Sequence, residues 1–158
     1  MQHVARLCIL LLYAGAGMLV CGCGSSEPPP PELPPLVPVT GAVTANGKPL
    51  EGAMLIFTPD TTGGFPAHGI TDVNGNYSMA TRSGTGSVPG CAPGTYRVMV
   101  SRFLKPDGTP PLDPNEPPAM SGAMESLPPQ YSSPTSSSLR AVVAADGGEF
   151  KFDLKVKK

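Results

Sequence analysis

The sequence predicts an all-β protein whose folded part is a β-sandwich of seven short antiparallel strands. Proline and glycine supply 21 and 19 of the 158 residues, which excludes long helices and coiled coils, since those are rich in Ala, Glu, Lys and Leu. From residue 37 onward, apolar residues recur at every second position and turn residues separate the runs. That pattern is typical of short strands joined by tight turns, and no segment there has a useful helical period.

Residues 1–22 have the features of a secretory signal peptide. Arg6 supplies positive charge, and an apolar run over residues 7–20 follows it; a membrane span needs about 20 residues, so this run is short for one. The run ends in Val20-Cys21-Gly22-Cys23, which resembles the signal ending of bacterial lipoproteins. In those signals a small residue precedes the lipidated cysteine, so Cys23 fits best. Cys21 fits less well, and a plain signal peptide or a lone anchor helix is the alternative.

The segment 23–36 is predicted to be a lipidated cysteine followed by a proline-rich linker. The resemblance implies two or three acyl chains, and each buried CH₂ contributes about 0.8 kcal/mol to membrane binding. Seven prolines lie between residues 28 and 38, where they prevent helix and paired strand and favour polyproline II. At about 3.1 Å per residue, residues 24–38 could reach roughly 45 Å. It is interpreted as a stalk, the alternative being a proline-rich ligand for a partner domain.

The domain predicted over residues 37–158 contains seven runs with strand character. Asn46-Gly47 after the first run is a strong hairpin signal, and Asp72-Val73-Asn74-Gly75-Asn76 is a second turn. The second run is apolar on both faces and is therefore expected to be a central strand. Arg97, Met99 and Ser101 are expected to point outward. The predicted strands cover residues 37–44, 50–58, 68–71, 77–81, 96–101, 139–145 and 150–156.

A long proline-rich loop is predicted at residues 104–137. It contains nine prolines and many polar residues. Loops of this length are unusual inside a compact domain and are either functional or disordered.

Five segments of the chain together form a recognisable pattern. They are Val39-Thr40-Gly41-Ala42-Val43-Thr44, Asn46-Gly47-Lys48-Pro49-Leu50-Glu51-Gly52-Ala53, Phe57-Thr58-Pro59, Gly69-Ile70-Thr71-Asp72 and Pro93-Gly94-Thr95-Tyr96-Arg97-Val98. In this order and spacing they resemble the carboxypeptidase regulatory-like domains, and the resemblance covers residues 37–102 and resumes at 129–154. The resemblance implies a transthyretin-like (prealbumin-type) fold, a Greek-key β-sandwich of seven strands. It also implies an accessory module that packs or binds and is not itself a peptidase.

No catalytic, metal-binding or cofactor-binding residue is predicted. After processing, His68 is the only histidine and Cys91 the only free cysteine, too few for a zinc site, and nothing pairs the two. The turn at residues 72–76 lacks the glycine and glutamate positions of an EF-hand loop. Four acidic residues in the long loop have no rigid frame for acid–base chemistry and are interpreted as solvated: Asp107, Asp113, Glu116 and Glu125.

The predicted function is that of a non-catalytic, membrane-anchored lipoprotein of the cell envelope. A net charge of −1 without a basic stripe argues against nucleic acid as a partner. The domain is expected in the periplasm or at the cell surface, where it binds an envelope protein or a polysaccharide. The binding surface is the 104–137 loop or an exposed sheet face. The alternatives are a hydrolytic enzyme that uses the loop carboxylates and a passive spacer.

Overall fold

The computed structural model describes residues 32–84, 86–111 and 118–157. Their regular secondary structure is almost entirely β-strand, which confirms the all-β class. Two helices of four residues each accompany the strands: α1 (Pro118–Ser121) and α2 (Pro129–Ser132). The strands are β1 (Val39–Ala45), β2 (Lys48–Pro49), β3 (Met54–Pro59), β4 (Ala67–Ile70), β5 (Asn76–Ser78), β6 (Ala80–Ser83), β7 (Gly86–Pro89), β8 (Gly94–Ser101), β9 (Phe103–Leu104), β10 (Met124–Glu125), β11 (Arg140–Val143) and β12 (Gly148–Leu154).

The strands form two main sheets and one short ribbon. A six-stranded sheet has the order β11-β8-β3-β4-β6-β7, and all of its pairs are antiparallel. A four-stranded sheet has the order β12-β1-β2, and β5 also pairs with β1. The ribbon consists of β9 and β10. The central position expected for the second predicted strand is confirmed, since β3 lies between β8 and β4.

One pairing corrects the expectation of an entirely antiparallel fold. β1 and β12 are parallel, with Val39 opposite Gly148 at one end and Ala45 opposite Leu154 at the other. A tight turn imposes antiparallel pairing, whereas parallel strands need a long connection. Nearly the whole domain connects β1 to β12, so no local turn restricts their relative direction.

A single predicted strand, residues 77–81, is divided between the two sheets. β5 pairs with β1, whereas β6 pairs with β4, and the change occurs at the buried Met79. The Met79 amide donates to the Val39 carbonyl, and its carbonyl accepts from the Gly90 amide. The predicted loop that follows contains a further strand, β7, which forms a hairpin with β6.

Side chains from both main sheets meet in one hydrophobic core. The Phe57 ring of β3 contacts Phe150 and Phe152 of β12 edge-on, at centroid distances of 6.1 and 6.5 Å. Full burial of each large apolar side chain stabilises the fold by roughly 1.5–3 kcal/mol. The alternation read from the sequence places these residues correctly, and the most buried of them are Val39, Val43, Ala53, Leu55, Phe57, Val98, Val100 and Leu154.

The Asn46-Gly47 turn forms as predicted and also holds the C-terminal strand. Both residues have positive φ, 52° and 78°, as a two-residue hairpin turn of this type requires. The Asn46 amide group bonds both backbone groups of Val156. Asp153 accepts from the Thr44 hydroxyl at 2.8 Å and the Gly47 amide at 3.1 Å. Hydrogen bonds from Lys155, Thr44 and Gly47 lower the pKa of Asp153 to about 2, and the bond from Lys155 has the largest effect on this pKa.

The second half of the predicted loop 104–137 packs on the domain. Leu127 and Tyr131 belong to the hydrophobic core, and the Tyr131 hydroxyl accepts from the Lys155 amide at 3.0 Å. Ser137 is buried and its hydroxyl donates to the Val98 carbonyl. The outward orientation expected for Ser101 is wrong, because Ser101 is buried and donates to Glu125.

The last residues of the predicted linker also contact the domain. Val37 exchanges two backbone hydrogen bonds of 2.9 Å with Cys91. Leu33, Pro34 and Leu36 are half-buried. The proline-rich segment is therefore attached to the body of the domain over its final residues.

Candidate functional site

The predicted lipidation residue, Cys23, lies outside the described residues, and so do Asp113 and Glu116 of the long loop. The remaining candidates can be located. They are distributed over the core, the two sheet faces and the turns.

Cys91 and His68 do not form a nucleophile–base pair. Cys91 is fully buried in the core, and this burial raises the pKa of its thiol, which keeps the thiol neutral and unreactive. His68 lies on the outer face of β4, where its Nε2 atom is 3.4 Å from the Ser87 hydroxyl. No hydrogen bond joins the cysteine to the histidine within the described part of the chain.

The segment 72–76 forms a turn, as the sequence predicts. One carboxylate oxygen of Asp72 accepts from the backbone amides of Asn74 and Asn76, both at 2.8 Å, and Gly75 has a φ of 77°. The carboxylate is thus occupied with closing its own turn. Across residues 32–84, 86–111 and 118–157, no three His, Cys, Asp or Glu residues cluster as metal ligands would.

The two described carboxylates of the long loop have separate local roles. Asp107 is exposed and accepts from the Thr109 hydroxyl and amide, bonds that lower the pKa of Asp107. The expectation that Glu125 is solvated is wrong, because Glu125 is half-buried. One of its oxygens accepts from the amides of Arg102 at 3.0 Å and Leu127 at 2.9 Å, and the other accepts from Ser101. Glu125 therefore attaches β10 to the end of β8.

The outer face of the six-stranded sheet carries a group of partly exposed apolar side chains that the strand register brings together. Met54 lies opposite Ile70, and Ile56 lies opposite both Met99 and His68. Met54 is 37% exposed and Ile70 58%; Ile56 and Met99 are half-buried. We call Met54, Ile56, Ile70 and Met99 the apolar patch.

Two arginines lie on the same sheet beside the apolar patch, and we call them the arginine row. Arg97 of β8 lies directly opposite Arg140 of β11. Arg97 Nη1 donates to the Pro134 carbonyl at 3.2 Å, and Arg140 Nη1 donates to the carbonyls of Ser137 and Leu139 at 3.0 and 2.9 Å. Both ion pairs in the described part of the chain use lysines, Lys151 with Glu149 and Lys155 with Asp153. The two arginines therefore face each other without a described carboxylate partner.

Two pockets lie on the domain surface near the ends of its strands. One, of about 420 Å³, lies where β3 ends and β8 begins, and two prolines of the predicted linker form part of its wall: its lining includes Pro34, Pro35, Pro59, Phe65, Pro93 and Tyr96. The other, of about 360 Å³, is more polar, with a lining that includes Thr40, Asp72, Asn76, Tyr77, Ser78 and Glu149.

Sequence reasoning did not identify the arginine row or the apolar patch as a site. The alternation of β8 places Arg97 and Met99 on the outer face, so the sequence alone predicts the outward orientation of their side chains. Which residues lie beside them depends on strand register, and register between distant strands has no local signal.

Comparison with protein-family models, curated proteins and solved structures finds no match to this chain. None of the helices formed by the described residues is long and apolar enough to cross a membrane.

Proposed function

We propose that this protein is a membrane-anchored lipoprotein of the cell envelope whose β-domain binds an envelope component and catalyses no reaction. The observation that carries the proposal is the outer face of the six-stranded sheet. It combines the apolar patch with the arginine row. Such a face is suited to binding a partner, because removing exposed apolar side chains from water is energetically favourable.

The candidate catalytic groups support a binding role over hydrolysis. The Cys91 thiol is buried and neutral, and Glu125 is occupied by three donors. Paired carboxylates need a defined mutual geometry to act as acid and base. Asp107 instead bonds to Thr109 within its own turn, and Glu125 bonds to the end of β8.

An envelope protein is the partner that we favour over a polysaccharide. The apolar patch consists of aliphatic and thioether side chains, which pack well against apolar side chains of another protein. A passive spacer needs no exposed apolar patch.

We further infer that the two main sheets form a transthyretin-like, Greek-key sandwich of the kind found in carboxypeptidase regulatory-like domains. The shared core between β3 and β12 supports this inference, as do the sequence segments that resemble the family. The parallel pairing of β1 with β12 and the additional short strands β2, β7, β9 and β10 are features that such an assignment has to accommodate.

The proposed anchor places the domain in the periplasm or at the cell surface. An acylated Cys23 would hold the chain in a membrane, because two or more acyl chains give stable anchoring. The linker proposed for residues 23–36 would then join this anchor to the domain.

The anchor is tested by labelling cells with a radioactive fatty acid and recovering the protein from membrane and soluble fractions. We expect Cys23→Ala to abolish labelling and to retain the uncleaved signal segment, because acylation precedes cleavage in lipoproteins of this kind. The matched control, Cys21→Ala, should label like the wild type. Label that persists in Cys23→Ala and disappears in Cys21→Ala would move the anchor to Cys21, and label in neither wild type nor control would refute the anchor.

A further inference from the structure

We propose that the outer face of the six-stranded sheet docks an acidic, partly apolar polypeptide segment. Arg97 and Arg140 would receive its carboxylates, and the apolar patch would receive its apolar side chains. This proposal deepens the binding role proposed above and does not depend on the lipid anchor.

The charge on this face is uncompensated. Like charges directly opposite each other on paired strands are destabilising, and Arg97 and Arg140 occupy such a position. Within the described residues, no carboxylate oxygen lies within 4.0 Å of either guanidinium. His68, on the same face, has its Nε2 atom 3.4 Å from the Ser87 hydroxyl, and Arg82 of β6 is exposed. Asp60 is exposed in the turn after β3, and no ion pair joins it to the arginines. An acidic partner would therefore supply charge that the domain itself does not.

Both guanidinium groups retain donors that no described residue uses. Each arginine places only Nη1 on backbone carbonyls, and no described residue accepts a hydrogen bond from Nη2 of either side chain. Arg97 Nε is buried, so the donors that Arg97 can offer to a partner are on its terminal nitrogens. Hydrogen bonds between a guanidinium and a carboxylate are charge-assisted and strong, so these unused donors are suited to a carboxylate ligand.

The spacing of the rows indicates a peptide as the ligand, in preference to a small anion. Along a strand, residues on one face repeat about every 7 Å. Arg97 and Met99 are neighbours of this kind on β8. On β3, Ile56 lies opposite Met99, and Met54 lies one repeat further from Arg97, opposite Ser101. An extended peptide with one acidic and two apolar side chains on the same face has this repeat. A free anion would use the arginines and leave the apolar patch exposed.

The probe is the capped heptapeptide Thr-Glu-Thr-Leu-Thr-Leu-Thr, compared with a peptide in which glutamine replaces the glutamate. The full chain is labelled with ¹³C at its methionine methyl groups and titrated with each peptide by NMR, in a solution that also contains nanodiscs of zwitterionic lipid, so that the experiment works whether or not the chain is anchored. Met54 and Met99 report on the apolar patch, whereas the buried Met79 reports on the integrity of the core.

We expect the glutamate peptide to shift the Met54 and Met99 signals and to bind at least fivefold more tightly than the glutamine peptide. The double variant Arg97→Gln, Arg140→Gln should remove that preference while the Met79 signal stays in place. The control variant Lys48→Gln, Lys157→Gln removes the same charge elsewhere and should behave as wild type.

Three results would overturn the proposal. Equal binding of both peptides, or no shift at Met54 and Met99, would show that the arginines do not select carboxylates. An arginine-dependent shift with inorganic phosphate or with phosphatidylglycerol nanodiscs, but with neither peptide, would assign the face to free phosphate or to lipid respectively. Shifts that depend on protein concentration alone would assign it to a second copy of the chain. None of these results changes the Cys23 labelling, so the two proposals fail separately.

Discussion

Gly41 is the residue at which three strands come closest together. It lies opposite Phe150 of β12 on one side and Tyr77 of β5 on the other. A Cβ atom at this position would lie 1.8 Å from the Phe150 carbonyl oxygen and 2.7 Å from the Tyr77 hydroxyl. Because glycine has no side chain, the Tyr77 hydroxyl passes over β1 and donates to the Phe150 carbonyl at 2.9 Å. One small residue therefore permits a hydrogen bond between strands that are not adjacent.

Two substitutions test this arrangement. Tyr77→Phe leaves the Phe150 carbonyl without its donor, so we expect a loss of about 1–2 kcal/mol in the free energy of unfolding. Gly41→Ala forces the backbones of β1 and β12 apart and should cost about 3 kcal/mol or more. Urea unfolding monitored by circular dichroism measures both. Gly47→Ala is a steric control, because no atom lies within 4 Å of its added Cβ, although its positive φ carries a cost of its own. A Gly41→Ala variant as stable as wild type would contradict the close approach.

At the scale of elements, the predicted loop 104–137 has one part that packs on the domain and one part that is exposed. Residues 124–132 include β10 and α2, whose Leu127 and Tyr131 side chains are buried in the core. Glu125 and Ser126 continue the hydrogen bonding of the β8 edge through Arg102. The hairpin at Lys105–Thr109 is instead exposed and bonded only within itself. The proline count of the segment does not distinguish these two parts.

Two deletions separate the parts of this loop. Removing residues 106–117 should change the melting temperature by only a few degrees, because a short connection still joins the paired Leu104 and Met124. Removing residues 106–128 also takes away Leu127 and β10. Loss of one buried leucine alone costs about 2–5 kcal/mol, so we expect a large fall in melting temperature or failure to fold. Thermal unfolding by circular dichroism measures both, and equal melting temperatures would contradict the structural role of residues 118–128.

At the scale of the whole molecule, each main sheet buries one tyrosine that must stay neutral. Burial, and secondarily the nearby Glu149 carboxylate, raises the pKa of Tyr77. Burial, and secondarily a hydrogen bond with the Cys91 thiol, raises the pKa of Tyr96. In the unfolded chain both hydroxyls lose their protons near pH 10. The folded state therefore keeps protons that the unfolded state releases.

Stability should consequently fall in alkali. The contribution of each tyrosine is fully present below pH 10 and is lost as pH rises toward the folded pKa, with a slope of up to about 1.4 kcal/mol per pH unit for each residue. Urea unfolding at intervals from pH 8 to 12 measures this slope. Tyr77→Phe should reduce it by about half, and an identical slope in that variant would show that Tyr77 titrates normally when folded.

The sequence by itself determined the all-β class, the Asn46-Gly47 turn and most of the core. These depend on local physics, since alternation selects the buried face of a strand and positive φ selects Asn and Gly. The same alternation correctly predicts that the side chains of Leu55, Phe57, Val98 and Leu154 are buried. The sequence also correctly assigned the segment after Thr71 to a turn closed by Asp72.

Only the tertiary structure decided how distant segments pair. The parallel contact of β1 with β12, the division of residues 77–81 between two sheets, and the burial of Leu127 and Tyr131 join residues far apart in the chain. The juxtaposition of Arg97 with Arg140 has the same origin. Period-two alternation states which face a residue occupies, but it is identical for either strand direction and for many registers. The surface that we propose for binding is created by those registers, and for that reason it was visible only in the folded molecule.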